Sequence, residues 1–221
     1  MTDRNRIVVH DLLTDNAVIA ELTVAGNAVY ALSFSPDGET LIAGDSLGQL
    51  TRWRSDEWMP MGDPVTVAPI GVSALAYNAD GTLLAIGTRD LLAATVQVFN
   101  AEDLSPVTGA LNGHENWVVD LVFLDNTTLA SASHDMTVRL WTIPSGESLV
   151  LRGHTAEVTG IAQQNDGRLV SVGDDRRLVV WDLTLEGWEE RACTISNRNL
   201  SPDEWQRYMG DAPYRETCPI D

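Results

Sequence analysis

Lysine is absent from this chain of 221 residues: all 14 basic side chains are arginine, set against 32 acidic ones for a formal net charge of −18. A surface this negative repels a phosphate backbone, so nucleic acid is not an expected partner. Cysteine is nearly absent too. The two present, Cys193 and Cys218, sit near the C-terminus without CxxC spacing, a weak case for zinc, and no metal site is expected. No apolar run approaches the ~18 residues that a membrane-spanning helix needs. The opening MTDRNRIVVHD lacks the apolar core of a signal peptide. These absences together predict a soluble, cytoplasmic protein that requires no cofactor and touches no membrane. Helical periodicity is also missing until the last forty or so residues.

What the sequence does contain is a repeat. GHENWVVDLVFLDNTTLASASHDMTVRLW (113–141) aligns with GHTAEVTGIAQQNDGRLVSVGDDRRLVVW (153–181), and in both copies His and Trp are 27 residues apart. Two looser copies lie upstream, VYALSFSPDGETLIAGDSLGQLTRW (29–53) and VSALAYNADGTLLAIGTRDLLAATVQVF (72–99). Their closing aromatics, Trp53, Phe99, Trp141 and Trp181, follow one another at 46, 42 and 40 residues. Each copy has three short apolar or alternating runs separated by turn sequences such as SPDG, NADG and NDG, and in the first three a fourth run follows the aromatic, at 64–68, 104–111 and 147–151. Four strands in each ~43 residues, with no helix between them, is the pattern of a β-propeller blade.

These motifs make the chain resemble the WD-repeat propellers over roughly residues 6–183. The resemblance implies a hydrogen-bonded series of four side chains in each well-formed blade: His114, Ser131, Asp135 and Trp141 in one, His154, Ser171, Asp175 and Trp181 in the next. The residue types suit the task. Trp brings buried area together with an indole donor that needs a partner, and Asp in a tight turn accepts from backbone N–H groups and from His. Ser, His and Asp also suggest a hydrolase triad, but a set that recurs and is interlocked with Trp reads as structural. The upstream copies lack Gly-His. Leu47 stands at the first one's turn-Asp position, Phe99 replaces Trp in the second, and RDLLAAT (89–95) expands the second's hairpin. Those two blades are expected to be held mainly by apolar packing.

In this family the sequence repeat is offset from the blade, so RIVVHD reads as a third strand and NAVIAELTV (16–24) as the fourth. The predicted fold is all-β: an incomplete WD-repeat propeller with three full four-stranded blades plus two partial ones (1–183), followed by a short C-terminal helical extension (184–221). WD-repeat rings usually close with about seven blades, and about 120 further residues would supply the rest. The expectation is the C-terminal part of a larger protein. A self-associating arc and a small closed ring are the alternatives.

The extension contains one short helical stretch at 188–196 and a helix start at Ser201-Pro202-Asp203-Glu204, where Ser is the cap and Glu closes a capping box. RNLSPDEWQRYMGDAPYRETCP is similar to the tail of bacterial multi-domain WD-repeat signalling proteins, in which an NTPase, a caspase-like protease or a kinase precedes the repeats. Trp188, Trp205, Tyr208 and Tyr214 would pack this cap onto the last blade. Cys193 and Cys218 could pair across it as a disulfide or stay reduced.

The function expected is a non-catalytic scaffold for other proteins. The alternative is a ligand-sensing module of an upstream effector domain, and a propeller hydrolase is the remote one. The innermost strands offer only Asp120 as a carboxylate for such chemistry. In this family the positions flanking the first-strand bulge and preceding the turn Asp face one end of the ring, which implies partner contacts at Tyr30, Trp117, Val119, His134, Glu157, Thr159 and Asp174. Tyr30 and Trp117 are the expected anchors.

Overall fold

Seventeen strands and no helix make up the described part of a computed structural model, which covers residues 4–13, 15–26, 28–183 and 201. The helical stretches expected after 183, and Cys193 and Cys218, lie outside those residues. The strands form five antiparallel sheets. The first pairs β1 (Arg6–Asp11) with β2 (Ala17–Thr23). The second runs β3 (Val29–Phe34), β4 (Thr40–Asp45), β5 (Gln49–Arg54) and β6 (Val65–Thr66). The third runs β7 (Val72–Tyr77), β8 (Leu83–Thr88), β9 (Thr95–Asn100) and β10 (Leu111–Asn112). The fourth runs β11 (Val118–Phe123), β12 (Thr128–Ser133), β13 (Thr137–Thr142) and β14 (Ser148–Arg152). The fifth has β15 (Val158–Gln163), β16 (Leu169–Gly173) and β17 (Leu178–Trp181). Two, four, four, four and three strands is the distribution that the repeat spacing predicts.

The protein divides into two units, residues 1–163 with 170–179, and 164–169 with 180–221. In the second unit Gln164 and Arg168 close a tight turn (Gln164 N to Arg168 O, 2.8 Å), and Arg168 Nε donates to Asp166 Oδ2 at 2.8 Å.

Within the first unit the core lies between sheets. One layer joins the first two sheets through Ile7, Leu22, Val24, Leu41, Ala43 and Trp53. A second, with Ile42, Leu50, Val72, Leu84, Ile86 and Phe99, joins the next pair. Val96, Val98, Val118, Leu121, Leu129 and Trp141 belong to a third. Each of the three four-stranded sheets is therefore apolar on both faces, and its second strand is buried almost throughout: β4, β8 and β12 each begin half-buried and then bury five residues in succession. That is why TLIAGD, LLAIGT and TLASAS read as continuous runs rather than alternations.

Close approach sets the small residues on these strands. A Cβ on Gly87 would lie 2.5 Å from Val118 Cγ1, and one on Gly44 2.6 Å from Val72 Cγ1. The innermost strand of the following sheet passes directly over these backbones. Gly87→Val is expected to cost about 1–3 kcal/mol by overpacking. Urea unfolding would show this, and a second substitution, Val118→Ala, should recover part of the loss if this contact is its cause.

The outermost strands are shorter than their apolar runs suggest. β6 and β10 have two residues each, whereas 64–68 and 104–111 are the predicted spans. The ladders break where two residues face one: Val67 N and Ala68 N both donate to Gly48 O, and Val107 N and Thr108 N both donate to Val98 O. Pro60 and Pro106 form single bridges to Trp53 and Phe99 instead. Short edges of this kind also discourage strand addition. On the innermost strand β3, Leu32 and Phe34 are about half exposed (49% and 51%), and with Ile7, Val8, Val9, His10, Ser33 and Leu41 they line a cavity of about 320 Å³.

Candidate functional site

The best-formed blade is fastened by one hydrogen-bonded series. Trp141 Nε1 donates to Ser131 Oγ at 2.8 Å, His114 Nε2 meets the same Oγ at 2.7 Å, and His114 Nδ1 meets Asp135 Oδ2 at 2.7 Å. A single neutral imidazole satisfies every group: Nδ1–H donates to the carboxylate, while Nε2 accepts from the serine hydroxyl whose oxygen accepts from the indole. Asp135 also receives Glu115 N (3.1 Å), Thr137 N (2.9 Å) and Thr137 Oγ1 (2.6 Å), so one carboxylate ties the loop before β11 to the turn before β13. The next blade repeats the His, Ser and Asp part of it. His154 Nε2 meets Ser171 Oγ at 2.7 Å, its Nδ1 lies 3.1 Å from both Asp175 oxygens, and Thr155 N and Arg177 N donate to that carboxylate. Trp181 ends β17 as a buried residue.

The distances resemble those of a serine hydrolase triad, and accessibility separates the two. Ser131 and Ser171 are fully buried, and the Ser131 oxygen is already occupied by an indole, so neither can reach a substrate as a nucleophile. Among the described residues no group of three or more His, Cys, Asp or Glu side chains is placed to hold a metal ion. Asp120 on β11 is used structurally: its Oδ2 accepts from Ile161 N of β15 at 2.9 Å. Burial raises its pKa against the two N–H groups that lower it.

Burial also opposes the charge on Asp135, but hydrogen bonds from His114, Thr137 and the Glu115 amide outweigh it and hold that carboxyl well below the ordinary range. The same balance, with Thr155 N–H, His154 and Arg177 N–H against burial, lowers Asp175 to about 2. Both pKa values are lower in the folded state than in the unfolded one. Their stabilisation is therefore complete above about pH 4 and is lost as pH falls through their folded values, toward about 2 for Asp175. Urea midpoints should drop over that window. Asp175→Asn, less stable at neutral pH, should show a shallower drop than the parent protein.

The sheet of β3–β6, expected to be held mainly by apolar packing, has a buried carboxylate as well. Leu47 occupies the turn-Asp position, but Asp45, two residues earlier, is fully buried and takes over. Its carboxylate accepts from Gly26 N (2.9 Å), Leu47 N (2.8 Å) and Gln49 N (3.0 Å), joining the preceding loop to the turn as Asp135 does. In the sheet of β7–β10, buried Thr88 makes a smaller clasp, with Thr95 N donating to its Oγ1 at 2.8 Å.

This frame brings one end of the strands together. In an antiparallel meander, the start of the first strand and the turn between the second and third lie at the same end. Tyr30, Trp117 and Glu157 come from starts of innermost strands, and Arg89 and His134 from the second turns. There the Arg89 guanidinium lies over the rings of both Trp117 (3.8 Å to the centroid) and Tyr30 (4.5 Å). Trp117 also stacks on His134, with centroids 5.5 Å apart and planes tilted by 31°, and His134 Nδ1 lies 3.3 Å from Glu157 Oε2. Asp174 N donates to Glu157 O at 2.8 Å. The array thus crosses four consecutive sheets. Bulges set its edge: β3, β7 and β11 each slip register at their second residue, Tyr30, Ser73 and Val119. Val119 is half-buried and Thr159 exposed, and neither joins the stack.

Arg89 is absent from the residues expected from sequence. The expanded hairpin 89–95 hides its register, yet Thr88-Arg89-Asp90 occupies the place of Ser133-His134-Asp135. Aligning from the strand before the insertion, rather than across it, finds it.

A family model described as "WD domain, G-beta repeat" matches residues 18–53, 105–142 and 146–182. The protein is 29% identical over 188 residues to "Periodic tryptophan protein 2" of Arabidopsis thaliana, a match covering 84% of this chain and 20% of that protein. It is 26% identical over 141 residues to "Guanine nucleotide-binding protein subunit beta-1" of Caenorhabditis briggsae, covering 63% of this chain and 41% of the other. The matches therefore span less than half the length of either relative. Among solved structures, the RRP9 WD40 repeats superpose with a TM-score of 0.58 at 19% identity, over 69% of this chain and 50% of that one. U3-55K does so with a TM-score of 0.56 at 20% identity, over 69% and 51%. Repeat spacing, sheet order and family match agree: the chain belongs to the WD-repeat family.

Proposed function

We propose that this protein is an interaction scaffold for other proteins, and that partners bind the strand end where Tyr30, Arg89, Trp117, His134 and Glu157 meet. The observation carrying the reading is the stack itself. Aromatic and arginine side chains dominate binding hot spots because they present large, stiff contact areas with polar edges. Here they are held rigid by one another across four sheets, so little ordering entropy remains to be lost on binding. One relative's name makes it a subunit of a guanine nucleotide-binding protein, which fits a propeller that works through contact with other proteins. The finer assignment, a module within a larger bacterial signalling protein that senses ligands for an effector, rests on the tail sequence, outside the described residues.

Quantitative affinity enrichment tests the scaffold reading. The parent protein, Trp117→Ala and a control on another exposed loop, Asp103→Ala, are used as baits in parallel. Trp117→Ala should lose specific partners at least tenfold while the control keeps them. An unchanged partner set for Trp117→Ala would remove this surface from consideration.

A further inference from the structure

We infer that the Arg89 guanidinium, wedged against Tyr30 and Trp117, is a receptor for a carboxylate presented by the partner; the inference deepens the scaffold reading and rests on it for its context. Arginine in this protein is scarce and acid abundant, so internal carboxylates are at hand for an arginine. Five of the ten described arginines find side-chain partners: Arg54 pairs with Asp56, Arg168 with Asp166 and Arg6 with Glu21, while Arg52 and Arg139 donate to backbone carbonyls. What sets Arg89 apart is its place against two aromatic rings. The Arg89 side chain makes no hydrogen bond or ion pair with any described residue. Its guanidinium instead contacts the two ring faces.

Several carboxylates at this end of the strands are committed elsewhere. Asp90, the next residue, caps its own turn by accepting Leu92 N at 2.8 Å and Ala93 N at 3.2 Å. Glu157 faces His134, and Asp45 and Asp135 hold backbone amides. The backbone N–H of Arg89 is bonded to Gly71 O at 2.8 Å, which anchors the base of the side chain.

The geometry selects the ligand. Rings over the guanidinium shield it from water, and cation–π attraction keeps it oriented. What remains is the N–H edge, a planar fork with the spacing of a carboxylate's two oxygens. A planar carboxylate can lie in the same plane without displacing either ring. Two sources present such a group: the side chain of an Asp or Glu, and the terminal carboxylate of a polypeptide.

The test follows the Trp117 Nε1–H and Arg89 Nε–H resonances of the whole 221-residue protein by proton–nitrogen NMR during titration with four small probes at about pH 7. These are acetyl-glutamate amide, with a side-chain carboxylate only; acetyl-glutamine, with a terminal carboxylate only; acetyl-glutamine amide, with none; and inorganic phosphate. Saturable shifts are expected with one or both carboxylate probes and not with the neutral one, and the stronger of the two names the source. Arg89→Lys, which keeps the charge but loses the fork, should weaken the Trp117 response at least tenfold. No saturable shift, an equal shift with the neutral probe, or a shift with phosphate alone would overturn the inference. The two proposals fail separately. If carboxylates bind while Trp117→Ala retains every partner, the scaffold surface is wrong; if Trp117→Ala loses partners and carboxylates do not bind, this receptor is wrong.

Discussion

Trp141→Ala is expected to lower the unfolding free energy by about 3–5 kcal/mol. At a length near 200 residues each kcal/mol moves the melting temperature by about 2–4 °C, so the midpoint should fall by roughly 6–20 °C. The side chain is 1% exposed and fills the layer between two sheets beside Leu129 and Val118. Two losses add. The cavity forfeits packing that no neighbour can restore, and Ser131 Oγ loses the indole that completes its bonding. Ser131→Ala separates them: the packing stays, but Trp141 Nε1 and His114 Nε2 both lose their partner in a buried place, at about 1–3 kcal/mol each. Trp141→Phe should lie between the parent and the alanine variant. Unfolding in urea followed by circular dichroism measures all three. A cost below about 1 kcal/mol for Trp141→Ala would mean that the hydrogen-bonded series decorates the blade without holding it.

The second large effect is expected at Asp45, which the repeat pattern does not mark. Asp45→Ala leaves three N–H groups, on Gly26, Leu47 and Gln49, without an acceptor. At about 1–3 kcal/mol for each buried orphan, and with the two turn amides partly open to water, about 3 kcal/mol in total is the expected loss. Asp45→Asn should cost less. Its carbonyl can still receive Leu47 and Gln49, which share one oxygen, while its amide nitrogen would face the Gly26 N–H, donor against donor. Hydrogen exchange gives the local reading: the amides of Gly26, Leu47 and Gln49 should exchange faster in Asp45→Ala, and those held by Asp135 should not. Equal protection in both proteins would show that another group closes this turn.

These two residues differ in how they could be found. Trp141, His114, Ser131 and Asp135 occupy positions that recur in the next copy at matching spacing, so two lines of sequence suffice to mark them. Asp45 recurs nowhere. It does the work of Asp135 from a strand end two residues earlier, because Leu47 leaves the usual place empty of a carboxylate and the backbone amides still require an acceptor. The same holds for β6 and β10, where a run of residues marks an approximate span but paired donors on one carbonyl, at Val67 and Ala68 and at Val107 and Thr108, interrupt the ladder.

By itself the sequence determined the period, the strand count and the two well-formed blades. All of these depend on residues within about 40 positions of one another: turn chemistry, alternation, and one aromatic per repeat. Only the tertiary structure decided that Tyr30, Arg89, Trp117, His134 and Glu157 stand in one array. They are spread over four repeats, and nothing in local periodicity says which ring an arginine will lie against. Sheet order and the bulges at the second residues of β3, β7 and β11 do so, by delivering the same end of each sheet to one place. Residues far apart in the sequence are thereby stacked within a few ångströms, and the guanidinium of Arg89 comes to lie over the rings of both Tyr30 and Trp117.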